Sequence, residues 1–134
     1  MKITAIRAHI MGVSGAGGHA PRRNWIFVEV ETDEGISGVG EATTEYQEQA
    51  VVAMIEDHLA PLLVGQDPTR VHYAWQQMQR LLWWRGGVVV SSAASGIEQA
   101  LWDITGKAYG QPVYKLLGGA VRDHVRLYAR TDLN

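Results

Sequence analysis

The hydrophobic pattern of this chain changes its period once, near residue 46, and that change limits the folds the chain can adopt. Before this point apolar and polar residues alternate, as in WIFVEVET, where Ile26, Val28 and Val30 share one face. After it, apolar residues recur every three or four positions, which is the spacing of helices that bury one side. Strands in one block followed by helices in another predict an α+β fold.

Three strands are expected in the first block. Ile6, Ala8 and Ile10 would form one face of the first strand, WIFVEVET is the second and ISGVGEA is the third. The intervening DEG supplies a tight turn in which Gly35 can adopt the positive φ that hairpins require. The pattern therefore predicts a three-stranded antiparallel meander.

Two helices are expected to follow. The first covers residues 46–64, and Pro61 should kink or end it because proline lacks an N–H group. Asp67 followed by Pro68 is typical of a helix start, with a capping side chain and then proline in the first turn. The second helix should run from there to about Trp84.

The last part of the chain contains a longer helix and a short one. The longer helix is expected over residues 91–109, ended by Gly110, and Pro112 begins a short final turn. The chain then closes with RDHVRLYARTDLN, whose alternation predicts a strand at residues 124–130. A lone strand cannot satisfy its backbone groups, so this one needs partners.

Composition excludes several classes of function. The 134 residues suit one domain, 46% are hydrophobic, and the net charge of −2 gives no reason to expect a nucleic-acid partner. The absence of cysteine excludes disulfides, thiolate metal sites and a cysteine nucleophile. No run approaches the ~18 apolar residues of a membrane span, and the amino terminus alternates like a strand rather than a signal peptide. We therefore expect a cytoplasmic protein without a membrane partner.

A cluster of polar and basic residues follows the glycine-rich stretch GVSGAGG at residues 12–18. The spacing of its glycines fits neither a dinucleotide fingerprint nor a phosphate-binding loop. The cluster consists of His19, Arg22, Arg23 and Asn24. Fixed cations of this kind suit a carboxylate substrate, although a solvated basic turn accounts for the same residues.

Two further segments carry candidate side chains. In GEATTEYQ, Glu41 and Glu45 could act as a carboxylate pair, whereas Thr43 or Thr44 capping the first helix explains the same letters structurally. In LLWWRGG, Arg85 could stack on an indole and bind an anion, or it could complement the dipole at a helix C-terminus.

The sequence offers no complete catalytic centre. No serine occurs in G-x-S-x-G, and no histidines have the spacing of metal ligands. The histidines are scattered through the chain at His9, His19, His58, His72 and His124. No nucleophile, base and oxyanion donor can be assembled, so we expect no catalytic residue and no metal site in this chain.

Three motifs closely resemble the enolase superfamily, in its mandelate racemase/muconate lactonizing enzyme branch and especially its acid-sugar dehydratases. They are WIFVEVETDEGISGVGEAT (25–43), WWRGG (83–87) and SGIEQALWDITGKAYGQPVYKLLGG (95–119), and they occur in the order and spacing of that family. The resemblance covers nearly the whole chain. One departure is Val88, where related dehydratases are expected to have proline.

The resemblance implies a division into two parts. Residues 1–122 would be the α+β capping domain, and residues 123–134 would include the first strand of a barrel whose remaining residues, about 200 or more, are absent. In the family, two capping-domain loops close over the barrel mouth, here about Ser14–Asn24 and Thr43–Gln47. Side chains expected to bind the substrate are His19, Arg22, Arg23, Asn24, Glu45, Tyr46, Trp84 and Arg85.

The resemblance also implies a function for the longer protein. Family members bind Mg²⁺ through the barrel, abstract a proton α to a carboxylate and stabilise the enediolate. We therefore expect the capping domain of a galactonate- or mannonate-like dehydratase, with a sugar acid and its own barrel as partners, in a homo-oligomer.

Other interpretations remain open. Racemisation or cycloisomerisation would use the same enediolate chemistry, and the chain could instead be a standalone binding module. The chain alone, as a truncated form, is expected to be inactive.

Overall fold

The computed structural model describes residues 1–13, 23–80 and 85–128. In this part of the chain, helices pack on one face of a three-stranded sheet, so the predicted α+β class is confirmed.

The sheet is an antiparallel meander. Its strands are β1 (Ile3–Val13), β2 (Arg23–Thr32) and β3 (Ser37–Glu41), arranged in the order β1-β2-β3. Gly35 adopts a φ of 76° in the turn between β2 and β3, as the DEG sequence predicts. The order of the sheet is therefore the order of the chain.

The inner face of the sheet forms one half of the core. Ile26, Val28 and Val30 of β2 are completely buried. On β1, Ile6 is buried, whereas Ile10 opposite Ile26 is 38% exposed. Ile6 and Ile10 lie opposite Val30 and Ile26, so they share the predicted inner face. Ile10 is only partly buried, because the helices cover only part of this long strand.

The first helical segment continues through Pro61. It consists of α1 (Glu48–Ala53), a π-helical turn (Met54–Leu59) and α2 (Ala60–Leu63). The backbone N–H of Ala60 bonds to the carbonyl oxygen of Ile55, an i→i+5 pattern. Pro61 follows this wider turn and has no N–H to donate, yet the helix continues beyond it to Leu63. Pro61 was expected to kink or end the helix, and it does not end it, because helical residues continue to Leu63.

The next helix begins later than its sequence signal indicates. The side-chain oxygen Oδ1 of Asp67 accepts hydrogen bonds from the backbone N–H and hydroxyl of Thr69, at 2.9 and 2.8 Å. These bonds close a turn, and α3 (Val71–Arg80) starts after it. Asp67 therefore caps the turn that leads into α3, not the helix itself. The expected end near Trp84 lies outside the described residues.

The longest helix is α4 (Val88–Tyr109), which begins three residues before the expected start. Gly110 ends it in the left-handed conformation, with φ of 61°, as predicted. Pro112 then precedes the short α5 (Val113–Leu116), also as predicted. Val88, the expected proline position, is the first residue of α4, where proline would be well tolerated.

Helix α4 lies unusually close to β3. A Cβ atom built on Gly38 would lie 2.1 Å from the carbonyl oxygen of Ala100, and one on Gly40 would lie 2.0 Å from that of Gly96. Both distances are far shorter than a carbon–oxygen contact allows. The two glycines of ISGVGEA therefore let the helix backbone rest directly on the strand.

Side chains of α4 also cover the free edge of β3. The side chains that bond to this edge are four residues apart on the helix: Gln99, Asp103 and Lys107. The backbone N–H of Val39 donates to Oδ2 of Asp103 at 3.0 Å, and Lys107 Nζ donates to the carbonyl oxygen of Ser37 at 2.7 Å. The helix thus replaces the fourth strand that this edge would otherwise require.

The closing segment is exposed where it is described. Val121, Val125, Leu127 and Tyr128 are between 73% and 94% accessible. Residues 120–128 take part in none of the strand pairings of the described chain, so the barrel strand expected there stays a prediction. Of the helices in the described residues, none has the length and apolar character needed to cross a membrane.

Candidate functional site

One end of the sheet brings together segments that are distant in sequence. Beyond β3, the N–H of Ala42 donates to the carbonyl oxygen of Ile26 at 2.8 Å. The N–H of Ile26 in turn donates to the hydroxyl oxygen of Thr43 at 3.1 Å. The Thr43–Gln47 segment is therefore anchored beside the start of β2 before α1 begins.

This anchoring corrects the predicted capping role of the threonines. The residue before α1 is Gln47, which makes no side-chain capping bond. Thr43 instead accepts the N–H of Ile26, and the hydroxyl of Thr44 donates to the carbonyl oxygen of Ala42 at 3.3 Å. The Thr43 hydroxyl therefore bonds to β2 and the Thr44 hydroxyl closes a local contact with Ala42, and neither caps the helix.

A side-chain hydrogen bond connects the two predicted loop segments. Nδ2 of Asn24 donates to Oε1 of Glu48 at 3.0 Å. Hydrogen bonds from the Glu48 backbone, from Asn24 and from the Tyr46 backbone lower the pKa of the Glu48 carboxyl below its ordinary value. Asn24 is a predicted substrate-binding residue, whereas Glu48 was not identified from the sequence.

Tyr46 has a backbone conformation rarely adopted by residues with a Cβ atom. Its φ is 66°, and it is the non-glycine residue with positive φ in the described chain. Its side chain is 82% exposed. Glu45 lies beside it in the same turn and is also exposed. Two of the predicted binding residues are therefore presented to solvent in the turn before Glu48, the hydrogen-bond partner of Asn24.

An open cleft of about 350 Å³ adjoins this segment, between the end of β3 and the first turns of α4. Hydroxyl and amide groups dominate its walls: Glu41, Ala42, Thr43, Ser91, Ser92, Ser95 and Gln99. Gln99 fixes one wall because it accepts the N–H of Glu41 and donates to its carbonyl oxygen, each at 3.2 Å. Sequence reasoning missed these serines; the available signal was SSAAS at the start of a helix that packs on β3.

The other predicted substrate-binding residues lie partly outside this end of the sheet or outside the described residues. His19, Arg22 and Trp84 lie outside the described residues. Arg23 is the first residue of β2. Arg85 is exposed and lies three residues before α4, at the helix end that carries the cleft serines. The structure thus brings Asn24, Glu45 and Tyr46 to one end of the sheet.

Candidate metal-binding side chains are dispersed in the described residues. Within them, no three histidine, aspartate, glutamate or cysteine side chains are grouped closely enough to hold a metal ion. His9, for example, lies on the outer face of the sheet, with Nε2 3.2 Å from Oε2 of Glu29.

Comparison with known proteins identifies relatives for most of the chain. Residues 4–118 match the family "Mandelate racemase / muconate lactonizing enzyme, N-terminal domain". A D-galactonate dehydratase of Xanthomonas campestris pv. campestris strain B100 is 48% identical over 128 residues, which are 96% of this chain and 31% of that protein. A D-mannonate dehydratase of Novosphingobium aromaticivorans is 41% identical over 132 residues, covering 98% of this chain and 31% of its own length.

Solved structures give the same fold. An enolase from Pantoea ananatis with bound D-gluconate and magnesium superposes with a TM-score of 0.80 at 41% identity, over 91% of this chain and 28% of that one. An enolase from Agrobacterium radiobacter with bound sodium and L-malate gives 0.83 at 37% identity, over 96% and 30%. The chain thus spans about a third or less of the length of these relatives.

Proposed function

Because this chain belongs to the mandelate racemase / muconate lactonizing enzyme family, as its N-terminal domain, we propose that it selects the substrate of a Mg²⁺-dependent sugar-acid dehydratase. Its relatives include dehydratases of the enolase superfamily. The reaction of the whole protein would be abstraction of a proton α to a carboxylate and loss of water from the resulting enediolate.

The observation that carries this proposal is that the Thr43–Gln47 segment, which includes Glu45 and Tyr46, lies against the start of β2, where Asn24 is. The bonds Ile26–Thr43 and Asn24–Glu48 hold this arrangement. A polyhydroxylated acid presents many hydroxyl groups, which amide, carboxylate and phenol side chains can bind through directional hydrogen bonds.

The residues of this chain would bind and orient the substrate without moving its protons. The amide of Asn24 and the phenol of Tyr46 suit hydroxyl groups, and the guanidinium of Arg85 suits the carboxylate. We assign the Mg²⁺ ligands and the bases to the rest of the protein, because the described residues offer no ligand set for the metal.

The test compares the full-length protein with the 134-residue chain. With Mg²⁺ and a panel of sugar acids including galactonate, mannonate and gluconate, the full-length protein should form a keto-deoxy acid from at least one. The chain alone should form none. Turnover by the chain alone, or a full-length protein that only racemises or cycloisomerises its substrates, would contradict the proposal.

One observation supports a second candidate, a standalone binding module. Val121 and Leu127 are 94% and 87% exposed, and exposed apolar side chains of this kind promote association. If this candidate is right, the 134-residue chain should be a stable oligomer that binds a small acid or a protein without turnover.

We also propose that the protein is a cytoplasmic homo-oligomer. The outer face of the sheet supports association, because Met11 and Trp25 are paired there and are 55% and 42% exposed. Sedimentation velocity of the full-length protein would test the oligomeric state, and a monomer at all concentrations would exclude it.

A further inference from the structure

The carboxylate of Glu48 is a meeting point for groups from both predicted loop segments. We propose that Glu48 is a positioning residue: it holds Tyr46 and Asn24 in one fixed arrangement and so controls substrate binding without touching the substrate. The part of this inference that concerns substrate rests on the proposed function, whereas the part that concerns the conformation of the chain does not.

The geometry of the carboxylate supports this role. Oε1 of Glu48 accepts a hydrogen bond from Nδ2 of Asn24, 24 positions earlier in the chain, at 3.0 Å. The backbone groups of Tyr46 and of Glu48 itself also interact with the carboxylate and stabilise its charged form. One side chain therefore connects the start of β2, the turn at Tyr46 and the first turn of α1.

Tyr46 explains why such a connection is needed. Its φ of 66° brings Cβ close to the backbone, a conformation that persists in residues other than glycine when the surroundings hold it. Its side chain is largely exposed and contributes little packing to fix the turn. The interaction of its backbone with the Glu48 carboxylate, which is itself bonded to Asn24, supplies a constraint that the side chain of Tyr46 does not.

Stabilisation of the N-terminus of α1 does not account for all of these contacts. Any acidic residue in the first turn would interact favourably with the helix dipole. That interaction requires no contact with Asn24. The bond between Asn24 and Glu48 instead links two segments that the helix itself does not connect.

Glu48→Gln in the full-length protein tests the proposal, with Glu56→Gln as the matched control. Glu56 lies in the same helical segment, and its Oε1 accepts a hydrogen bond from the backbone N–H of Ala8 at 2.9 Å. It is ten positions from Tyr46, so its loss should not affect the turn there. Glutamine keeps the size of the side chain and removes its charge, which weakens charge-assisted bonds.

The first readout is hydrogen exchange at the amides of Tyr46 and Gln47. Glu48→Gln should accelerate exchange there by about tenfold, as local opening becomes easier, while Glu56→Gln should leave it unchanged. Asn24→Ala should produce a similar acceleration, and the double variant should add little, because both changes break the same connection. Unchanged exchange in Glu48→Gln would overturn the proposal.

The second readout is the separation of KM from kcat for the accepted sugar acid. Glu48→Gln should raise KM by about tenfold with a smaller change in kcat, since it removes binding rather than chemistry. Accelerated exchange with unchanged KM would overturn the role in substrate binding. If the wild-type protein dehydrates no sugar acid, the proposed function fails, while the exchange data still decide whether Glu48 positions Tyr46.

A fold-disrupting effect of Glu48→Gln can be separated from this role. If its thermal midpoint falls far below that of Glu56→Gln, Asn24→Ala becomes the deciding variant, because it leaves the charge of Glu48 in the first turn of α1. Normal exchange at Tyr46 in a folded Asn24→Ala protein would then overturn the proposal.

Discussion

At the scale of single residues, Gly40 sets the distance between β3 and α4. A Cβ atom there would lie 2.0 Å from the carbonyl oxygen of Gly96 and 2.9 Å from Cβ of Gln99. One of these neighbours is helix backbone, which cannot move aside as the end of a long side chain can. The contact therefore depends on the missing side chain and not on the flexibility of glycine.

Gly40→Ala should be clearly destabilising. We expect a loss of about 1–3 kcal/mol or more in the free energy of unfolding, because overpacking forces backbone shifts. Urea denaturation measures it. Gly12→Ala is the control, since a Cβ there would lie 3.4 Å from Oδ1 of Asn24, close to ordinary contact. Equal effects of the two substitutions would contradict the explanation.

A second prediction at this scale concerns pH and Asp67. Its bonds from the hydroxyl and the N–H of Thr69 lower the pKa of the Asp67 carboxyl below 3.8. Because the pKa is lowered in the folded state, this contribution is present above pH 3.8 and is lost as pH falls through the lower folded value.

Asp67→Asn should therefore destabilise the protein at pH 7, and its difference from the wild type should shrink as pH falls below about 4. Urea denaturation at pH 7 and pH 3 measures both differences. Asp57→Asn, at an exposed position of the π-helical turn, controls for the change in net charge. A difference for Asp67→Asn that is constant with pH would refute this account.

At the scale of elements, α4 stabilises the sheet in two ways. Its small residues approach β3 closely, and its polar side chains satisfy the edge of that strand. Asp103 is central to the second, because Oδ2 accepts from both the N–H of Val39 and Nζ of Lys107, at 3.0 and 2.8 Å. An uncovered edge strand is a template for pairing with another chain.

Asp103→Ala should lower stability and promote self-association. We expect a loss of about 0.5–1.5 kcal/mol, typical of one hydrogen-bonded contact near the surface, together with concentration-dependent association through β3. Chemical denaturation and sedimentation velocity measure the two effects. Glu98→Ala, also on α4, is the control because Glu98 is not among the side chains bonded to β3. Association to the same degree in both variants would argue against a role for the edge.

At the scale of the whole molecule, the described residues contain a closed core and an exposed closing segment. Ile55, Leu59, Ile97 and Leu101 are completely buried, whereas Leu127 is 87% exposed. The relatives are about three times as long as this chain. We expect the rest of such a protein to cover the closing segment.

Leu127→Asp should therefore have different effects in two contexts. In the 134-residue chain, it should change the free energy of unfolding by less than about 0.5 kcal/mol, as surface substitutions do. In the full-length protein it should cost about 2 kcal/mol or more, because the charge would be buried without a partner. Thermal and urea denaturation of both forms test this. A similarly small effect in both would show that the segment stays exposed.

Local patterns predicted much of the fold. The change of period near residue 46 indicated a meander followed by helices, and Gly35 and Gly110 correctly marked a turn and a helix end. These features depend on alternation and on backbone conformation, which neighbouring residues largely determine. The predictions failed where competing local and distant partners existed, as for Thr43, which accepts the N–H of Ile26 instead of capping α1.

Periodicity and motifs were sufficient to predict the class of fold, the order of the strands, the family resemblance and the candidate residues Asn24, Glu45 and Tyr46. They did not predict the bond from Asn24 to Glu48, or the cleft between Thr43 and the serines of α4, which became visible in the folded chain. The difference comes from sequence separation. A periodic pattern records which face of an element is apolar, whereas contacts between residues 24 or more positions apart depend on how those elements pack.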